Sequence, residues 1–263
     1  MSKIEWNRPG NRLYETGVDR GVLYVDKLPG VPWNGLSGVS EVPMEETSLV
    51  RHQNGIKFYE SPTNDDFKAV INAFTYPREF QQCDGTASLG GGLYIDRQDR
   101  KRFHLTYRTL IGNDIEGPDF AYKLHLVYNG LAVPTAKNFM SLAGSVAPNV
   151  FSWTVSTIPI DIPNHTPSAH FVIDSREVNR FLLTEFENIL YGTATTPARM
   201  PTIEEIMDLI GQWVTLIITD NEDGTFTAEG PDEVVAMTGD EQFFIDWPSA
   251  IYLDEDTYTV STL

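Results

Sequence analysis

Three stretches in the middle of the chain alternate apolar and polar residues with period two, and that period decides what the chain can fold into. In Phe103-His104-Leu105-Thr106-Tyr107-Arg108, the Phe, Leu and Tyr share one face while the His, Thr and Arg share the other. Residues 122–128 place Tyr122, Leu124, Leu126 and Tyr128 together, and Phe151-Ser152-Trp153-Thr154-Val155 repeats the pattern. Successive side chains of a strand point to opposite faces, so these runs predict strands with one buried face each. Further short strands are expected at 21–25, 67–76, 169–173, 213–219, 225–227, 234–237, 243–245, 251–253 and 258–260. Residues 77–83 read as one helical turn ending at Asp84-Gly85.

Two helices interrupt the strands. Val178, Leu182, Phe186 and Ile189 form a stripe, with Asp174 or Ser175 as its cap and Gly192 as its end. The second begins with Thr202 and Glu205, the spacing of a capping box, and carries Ile203, Ile206, Met207 and Ile210 up to Gly211. Apolar stripes at helical spacing are core faces far more often than cofactor sites. The chain is therefore mainly β with two helices between about 176 and 211. Residues 1–20 show neither period and read as an extended arm ahead of a β domain over 21–199.

Charge divides the chain once more. All 19 basic residues lie at or before Arg199, while residues 200–263 hold 15 acids and no base, so most of the net charge of −18 sits there. This last segment reads as an acidic helix plus β module, either semi-independent or part of the same domain. Its acids form a solvated face or a surface that repels like-charged neighbours. The acidic balance excludes a phosphate clamp, which needs clustered Lys and Arg. With 41% apolar residues and 14 Phe, 11 Tyr and 5 Trp, the chain is too apolar for disorder. No apolar run reaches the ~18 residues of a membrane helix, and residues 1–13 lack a signal-peptide stretch. The expectation is a soluble chain made without secretion. Cys83 stands alone, so no disulfide forms within the chain.

Chemistry-bearing motifs are scarce. There is no P-loop and no nucleophile elbow, and Gly90-Gly91-Gly92 does not fit a dinucleotide fingerprint. Asp220-Asn221-Glu222-Asp223-Gly224 resembles a calcium loop, yet Thr219 and Gly230 would fall where that loop needs carboxylates, so a hairpin turn is the better account. A glycosidase carboxylate pair is set by separation in space, which spacing does not reveal. His165 and His170 are five apart in a Pro-rich loop and lack the further ligands of a zinc site. His104 and His125 fall on polar strand faces, where surface or hydrogen-bonded roles prevail. Arg97, Arg100, Lys101 and Arg102 form a solvated loop or a contact with an acidic surface of another copy. No catalytic, cofactor-binding or metal-ligating residue emerges, and no cofactor is implied.

Trp6-Asn7-Arg8-Pro9-Gly10 with the run from Tyr14 to Tyr24 resembles the opening of the major tail protein, or tail tube protein, of long-tailed bacteriophages with non-contractile tails, as found in phages of actinobacteria. Similar to the same family, in order, are Ala73-Phe74-Thr75-Tyr76-Pro77, Cys83-Asp84-Gly85, Tyr107-Arg108-Thr109, Ile111-Gly112-Asn113-Asp114 and residues 122–129. Phe151-Ser152-Trp153, Ile189-Leu190-Tyr191-Gly192-Thr193, residues 223–228 and Trp247-Pro248-Ser249-Ala250 continue the likeness to the C-terminal part.

The resemblance implies a β-sandwich or β-barrel core with one or two flanking helices and no enzymatic activity. It implies hexameric rings stacked into a virion tail tube, assembled in the host cytoplasm. The implied partners are further copies of the chain, the tape measure protein, the tail tip and tail terminator proteins, and double-stranded DNA passing through the lumen without specific binding. A second function class is a virion carbohydrate-binding or host-contact β-sandwich, with Trp33, Trp153 or Trp213 as saccharide platforms.

Overall fold

The computed structural model of this chain describes residues 6–42, 49–53, 56–61, 67–137, 139, 148–213, 217–220, 226–229, 235–238 and 242–245. Its strands in the first half are β1 (Tyr14–Tyr24), β2 (Val31–Pro32), β3 (Leu36–Glu41), β4 (Leu49–Gln53), β5 (Ile56–Ser61) and β6 (Lys68–Ala73). A short helix α1 (Gln81–Asp84) precedes β7 (Ala87–Gly90), β8 (Leu93–Ile95), β9 (Phe103–Asn113) and β10 (Gly117–Pro134). Then come β11 (Phe151–Ser156), β12 (Ile160–Ile162), β13 (His165–Ser168) and β14 (His170–Asp174). Helices α2 (Arg180–Tyr191) and α3 (Ile203–Trp213) lead to two hairpins, β15 (Ile217–Asp220) with β16 (Phe226–Glu229) and β17 (Val235–Thr238) with β18 (Gln242–Ile245). Contacts define two compact units, Met1–Val172 and Ile173–Leu263. The charge break at Arg199 therefore falls inside the second unit, after α2. None of the described helices is long and apolar enough to cross a membrane.

The first unit is built on one antiparallel sheet in the order β2-β1-β9-β10-β11-β6-β3, with β14 also paired to β10. Strand β10 changes partners along its length: residues 117–130 pair with β9, and 131–134 pair with β11. The change falls at a bulge between Val127 and Gly130, where Asn129 adopts a φ of 51°. Bulges of this kind bend a strand and let it pass from one layer to the next. The sheet's far ends then approach one another. Gly21 of β1 lies so close to β3 that a Cβ there would stand 2.7 Å from Cδ2 of Leu36, and its carbonyl accepts the Trp33 N–H at 2.7 Å.

The core enclosed by this curl is aromatic. Phe80 sits 4.6 Å from Trp33, 5.1 Å from Trp153 and 5.4 Å from Phe103, ring centre to ring centre. Tilted and edge-on arrangements suit the ring quadrupoles and add about 1 kcal/mol per pair beyond burial. The turn expected at 77–83 is a 3₁₀ turn followed by α1, and it ends at Gly85, whose φ of 84° favours glycine.

Register changes the reading of the central strands. Tyr107 lies directly opposite His125, and Leu105 opposite Val127. The apolar face of β9 therefore shares a side with His125 and Val127, while Leu124, Leu126 and Tyr128 are buried on the other side. The sheet is covered on both faces here, and the expectation of one buried face per strand gives way. Residues 14–20, expected in the arm, are strand: they pair with β9, and two register shifts erase their alternation.

In the second unit, Leu182 and Phe186 of α2 are buried as the stripe predicts, while Leu190, beside the stripe, is buried in place of Ile189, which is intermediate. Asn179, not Asp174 or Ser175, caps this helix, accepting the Phe181 N–H at 2.8 Å, because Asp174 is held by the Arg176 guanidinium at 2.6 and 2.9 Å. The capping box of α3 forms as expected: Glu205 N–H donates to Thr202 Oγ1 at 3.2 Å, and Thr202 N–H to Glu205 Oε2 at 2.9 Å. Helix α3 continues through Gly211 to Trp213, past the expected stop. The strands expected at 251–253 and 258–260, and the Asp223-Gly224 turn, lie outside the described residues.

Candidate functional site

Glu41 ends β3, His125 lies mid-β10 and His170 opens β14, and their ligating atoms all lie within 4.8 Å of one another. His125 Nδ1 is 3.1 Å from His170 Nε2 and 3.6 Å from Glu41 Oε1; His170 Nε2 is 3.9 Å from the same oxygen. On the far side of the His125 ring, Nε2 meets Thr109 Oγ1 at 2.9 Å. The Tyr107 hydroxyl donates to Glu41 Oε1 at 3.1 Å. Aromatic contacts fix the rings: Tyr107 and His125 are stacked 5° from parallel, and Phe67 lies 4.2 Å from His170 at a tilt of 37°.

Burial sets the electrostatics. It pushes His125 down to about 4, with the neighbouring His170 lowering it further and Glu41 opposing. His170 is lowered for the same reason, again against Glu41, and Tyr107 is raised by burial and then by the Glu41 carboxylate. At neutral pH the cluster holds two neutral imidazoles, a phenol and one carboxylate. Such a donor set can share a proton between the rings or hold a cation.

The sequence-level candidates fall elsewhere. His165 is exposed on β13, outside the cluster, so His170 finds its partners on β3 and β10 rather than at a spacing of five. His104 is a hydrogen-bonded residue, its Nδ1 accepting the Asn129 N–H at 3.3 Å. Cys83 is fully buried, and burial followed by the nearby Asp26 raises its thiol to about 12, which makes it an inert packing residue. Two members of the basic cluster bind within the chain, Lys101 to Asp26 at 2.7 Å and Arg102 to the Asn129 carbonyl at 2.8 Å. Trp33 and Trp153 are buried, so neither is a saccharide platform. Glu41 with His125 and His170 escaped the sequence because the three residues are far apart in the chain and meet only through register.

No protein-family model and no curated protein matches the chain. Among solved structures, similar chains occur in the cryo-EM structure of an extracellular contractile injection system, the PVC sheath-tube complex in its extended state. There the identity is 12% over 65% of this chain and 94% of that chain, with a TM-score of 0.33. The PVC sheath/tube terminator gives 13% identity, 65% and 99% coverage and a TM-score of 0.29. The anti-feeding prophage baseplate gives 10%, 66% and 97%, and 0.31. These are distant likenesses.

Proposed function

We propose that this chain is the repeating subunit of a phage tail tube, of the long-tailed, non-contractile kind that its sequence resembles. It associates with copies of itself into rings, hexameric in the family it resembles, and the rings stack into a conduit for DNA in the virion tail. It catalyses no reaction. The tape measure protein fills the conduit during assembly in the host cytoplasm, and tail tip and terminator proteins close its ends.

The observation that carries this reading is the one-sided pairing of β1. Its first half, Tyr14 to Asp19, is paired with β9, whereas the described pairing with β2 is confined to Val22 and Leu23. A strand with a free side offers N–H and C=O groups to another chain. An association that joins different surfaces produces a ring where the rotation closes and a filament where it does not. Acidity suits a conduit, since a basic wall would hold phosphates in place. Repulsion reaches only about 8 Å at physiological salt, so it acts where acids line the bore.

The test is negative-stain electron microscopy of the purified chain across a concentration series, beside size-exclusion light scattering. Hollow rings or tubes are expected. A chain that stays monomeric throughout and binds immobilised glycans would replace this reading with that of a host-contact module.

A further inference from the structure

The Glu41, His125 and His170 cluster has the dimensions of a metal site. Two ligands held 2.0–2.1 Å from a zinc ion stand about 3.3 Å apart at tetrahedral angles, and about 3.0 Å apart at right angles. The three separations here are 3.1, 3.6 and 3.9 Å, the two longer ones both involving Glu41. Glu41 is also the mobile partner, because its side chain is half exposed while those of His125 and His170 are 9% and 14% exposed. Closure therefore requires a shift of about half an ångström in the most adaptable ligand, together with a turn of the two near-coplanar imidazoles, whose mutual N···N contact the ion replaces.

The surroundings supply what a metal-ligating histidine needs. A ligating ring donates its second nitrogen to an oxygen acceptor, which fixes the tautomer. With Nε2–H donated to Thr109 Oγ1, the His125 Nδ1 lone pair accepts from His170 Nε2–H, and ion binding shifts the His170 proton to its Nδ1 so that both facing nitrogens are free to ligate. Tyr107 O–H, bonded to Glu41 Oε1, leaves that oxygen a further lone pair. The stacked face of Tyr107 and the tilted ring of Phe67 hold both imidazoles in place. The half-exposed carboxylate marks the entry side, where water completes the coordination. Of the nearby charges, Lys123 is paired with Glu15, so the single carboxylate of the site faces no unpaired cation from β10.

We propose that Glu41, His125 and His170 bind one divalent transition-metal ion, Zn²⁺ fitting best, and that the ion fastens the end of β3 to β10 and β14. Two imidazoles with one carboxylate favour such borderline ions over Mg²⁺ or Ca²⁺, which take all-oxygen shells. The role is structural. The ion stabilises the fold by binding three strands that the unfolded chain does not bring together.

The experiment uses the full chain, stripped by a chelator and kept dilute, and titrated with Zn²⁺ in the presence of excess Mg²⁺ to mask carboxylate-only sites. Calorimetry is expected to give one saturable site per chain, with Co²⁺ substitution producing visible bands of a nitrogen- and oxygen-bound ion. Zn²⁺ is expected to raise the thermal midpoint. Glu41→Gln keeps an acceptor for the Tyr107 hydroxyl, and His170→Gln leaves β14 pairing intact; each is expected to weaken binding at least about tenfold. Metal-free unfolding midpoints report whether each variant still folds. Absence of saturable binding would overturn the proposal. So would binding that both folded variants retain, since the ion would then lie elsewhere in the chain.

Discussion

The indole N–H of Trp153 donates to Oδ1 of Asp84 at 2.7 Å, with both residues buried. The other carboxylate oxygen takes the Lys137 ammonium at 2.6 Å. Burial alone would lower Lys137, and its bond to Asp84 outweighs that and raises it. Asp84 closes α1, so this arrangement fixes the helix that underlies the aromatic core to β11. Removing the shared acceptor strands two donors, one of them charged, whereas an amide keeps one acceptor. Asp84→Ala is expected to lower unfolding free energy by about 3 kcal/mol, and Asp84→Asn by clearly less. Urea unfolding measures both. Equal losses would mean that the carboxylate's two bonds do not act together.

Gly112 of β9 lies beneath the Tyr14 ring. A Cβ at this position would stand 2.6 Å from the Tyr14 hydroxyl and 2.7 Å from the Gly117 carbonyl oxygen, which belongs to the backbone and cannot simply rotate away. Gly112→Ala is therefore expected to lift Tyr14 and loosen the first half of β1, at a cost of about 1–3 kcal/mol. Trypsin should then cut at Arg12 and Arg20 faster than in the parent chain, while later sites keep their order. Unchanged cleavage at Arg20 would show that Tyr14 does not hold this strand.

Tyr14 also opens a strand that carries no period-two signal in the sequence. The strand was invisible in residues 14–20 because register shifts after Thr16 and Asp19 break the period-two pattern. Local signals survived: the Thr202 and Glu205 capping box lies within one turn and formed as spaced. The choice of Asn179 over Asp174 as a cap depended on Arg176 having claimed Asp174, a competition between equally good candidates. The alternation of β10 puts His125 on the face opposite Leu124 and Leu126, and that face turns inward because Tyr107 stands opposite His125. Periodicity identifies faces, and only pairing decides which face meets the core. The metal-sized cluster rests wholly on that pairing and on β3 and β14 arriving from distant parts of the chain.

Among the described residues ahead of β1, Gly10 and Arg12 make polar contacts to the β9–β10 turn. Gly10 N–H donates to Asp114 Oδ1 at 2.9 Å and Arg12 lies 3.7 Å from its other oxygen, while Trp6 is 77% exposed. Exposed ion pairs contribute little, so deleting residues 1–13 is expected to change unfolding free energy by less than about 1 kcal/mol. Under the tail tube reading the exposed Trp6 is positioned to reach another copy, and the same deletion should shorten or abolish tubes in electron micrographs. Deletion of 1–20 would be a poorer test, because it also removes most of β1. Tubes of normal length from the shorter truncation would assign the arm no part in stacking.

His104 links pH to stability through a single acceptor. Burial lowers it from its ordinary value near 6.5, and its Nδ1 accepts the Asn129 N–H at the bulge where β10 changes partners. Protonation would replace that acceptor with a second N–H aimed at Asn129. Since the unfolded chain binds this proton more readily, the contribution of His104 is complete above about pH 6.5 and is lost as pH falls toward the lowered folded value. His104→Gln retains an acceptor but cannot titrate. Urea midpoints at pH 7.5 and pH 5 are therefore expected to differ less for the variant than for the parent. The difference between the two proteins isolates His104, because the buried His125 and His170 are common to both. An equal loss in both would place the acid sensitivity elsewhere.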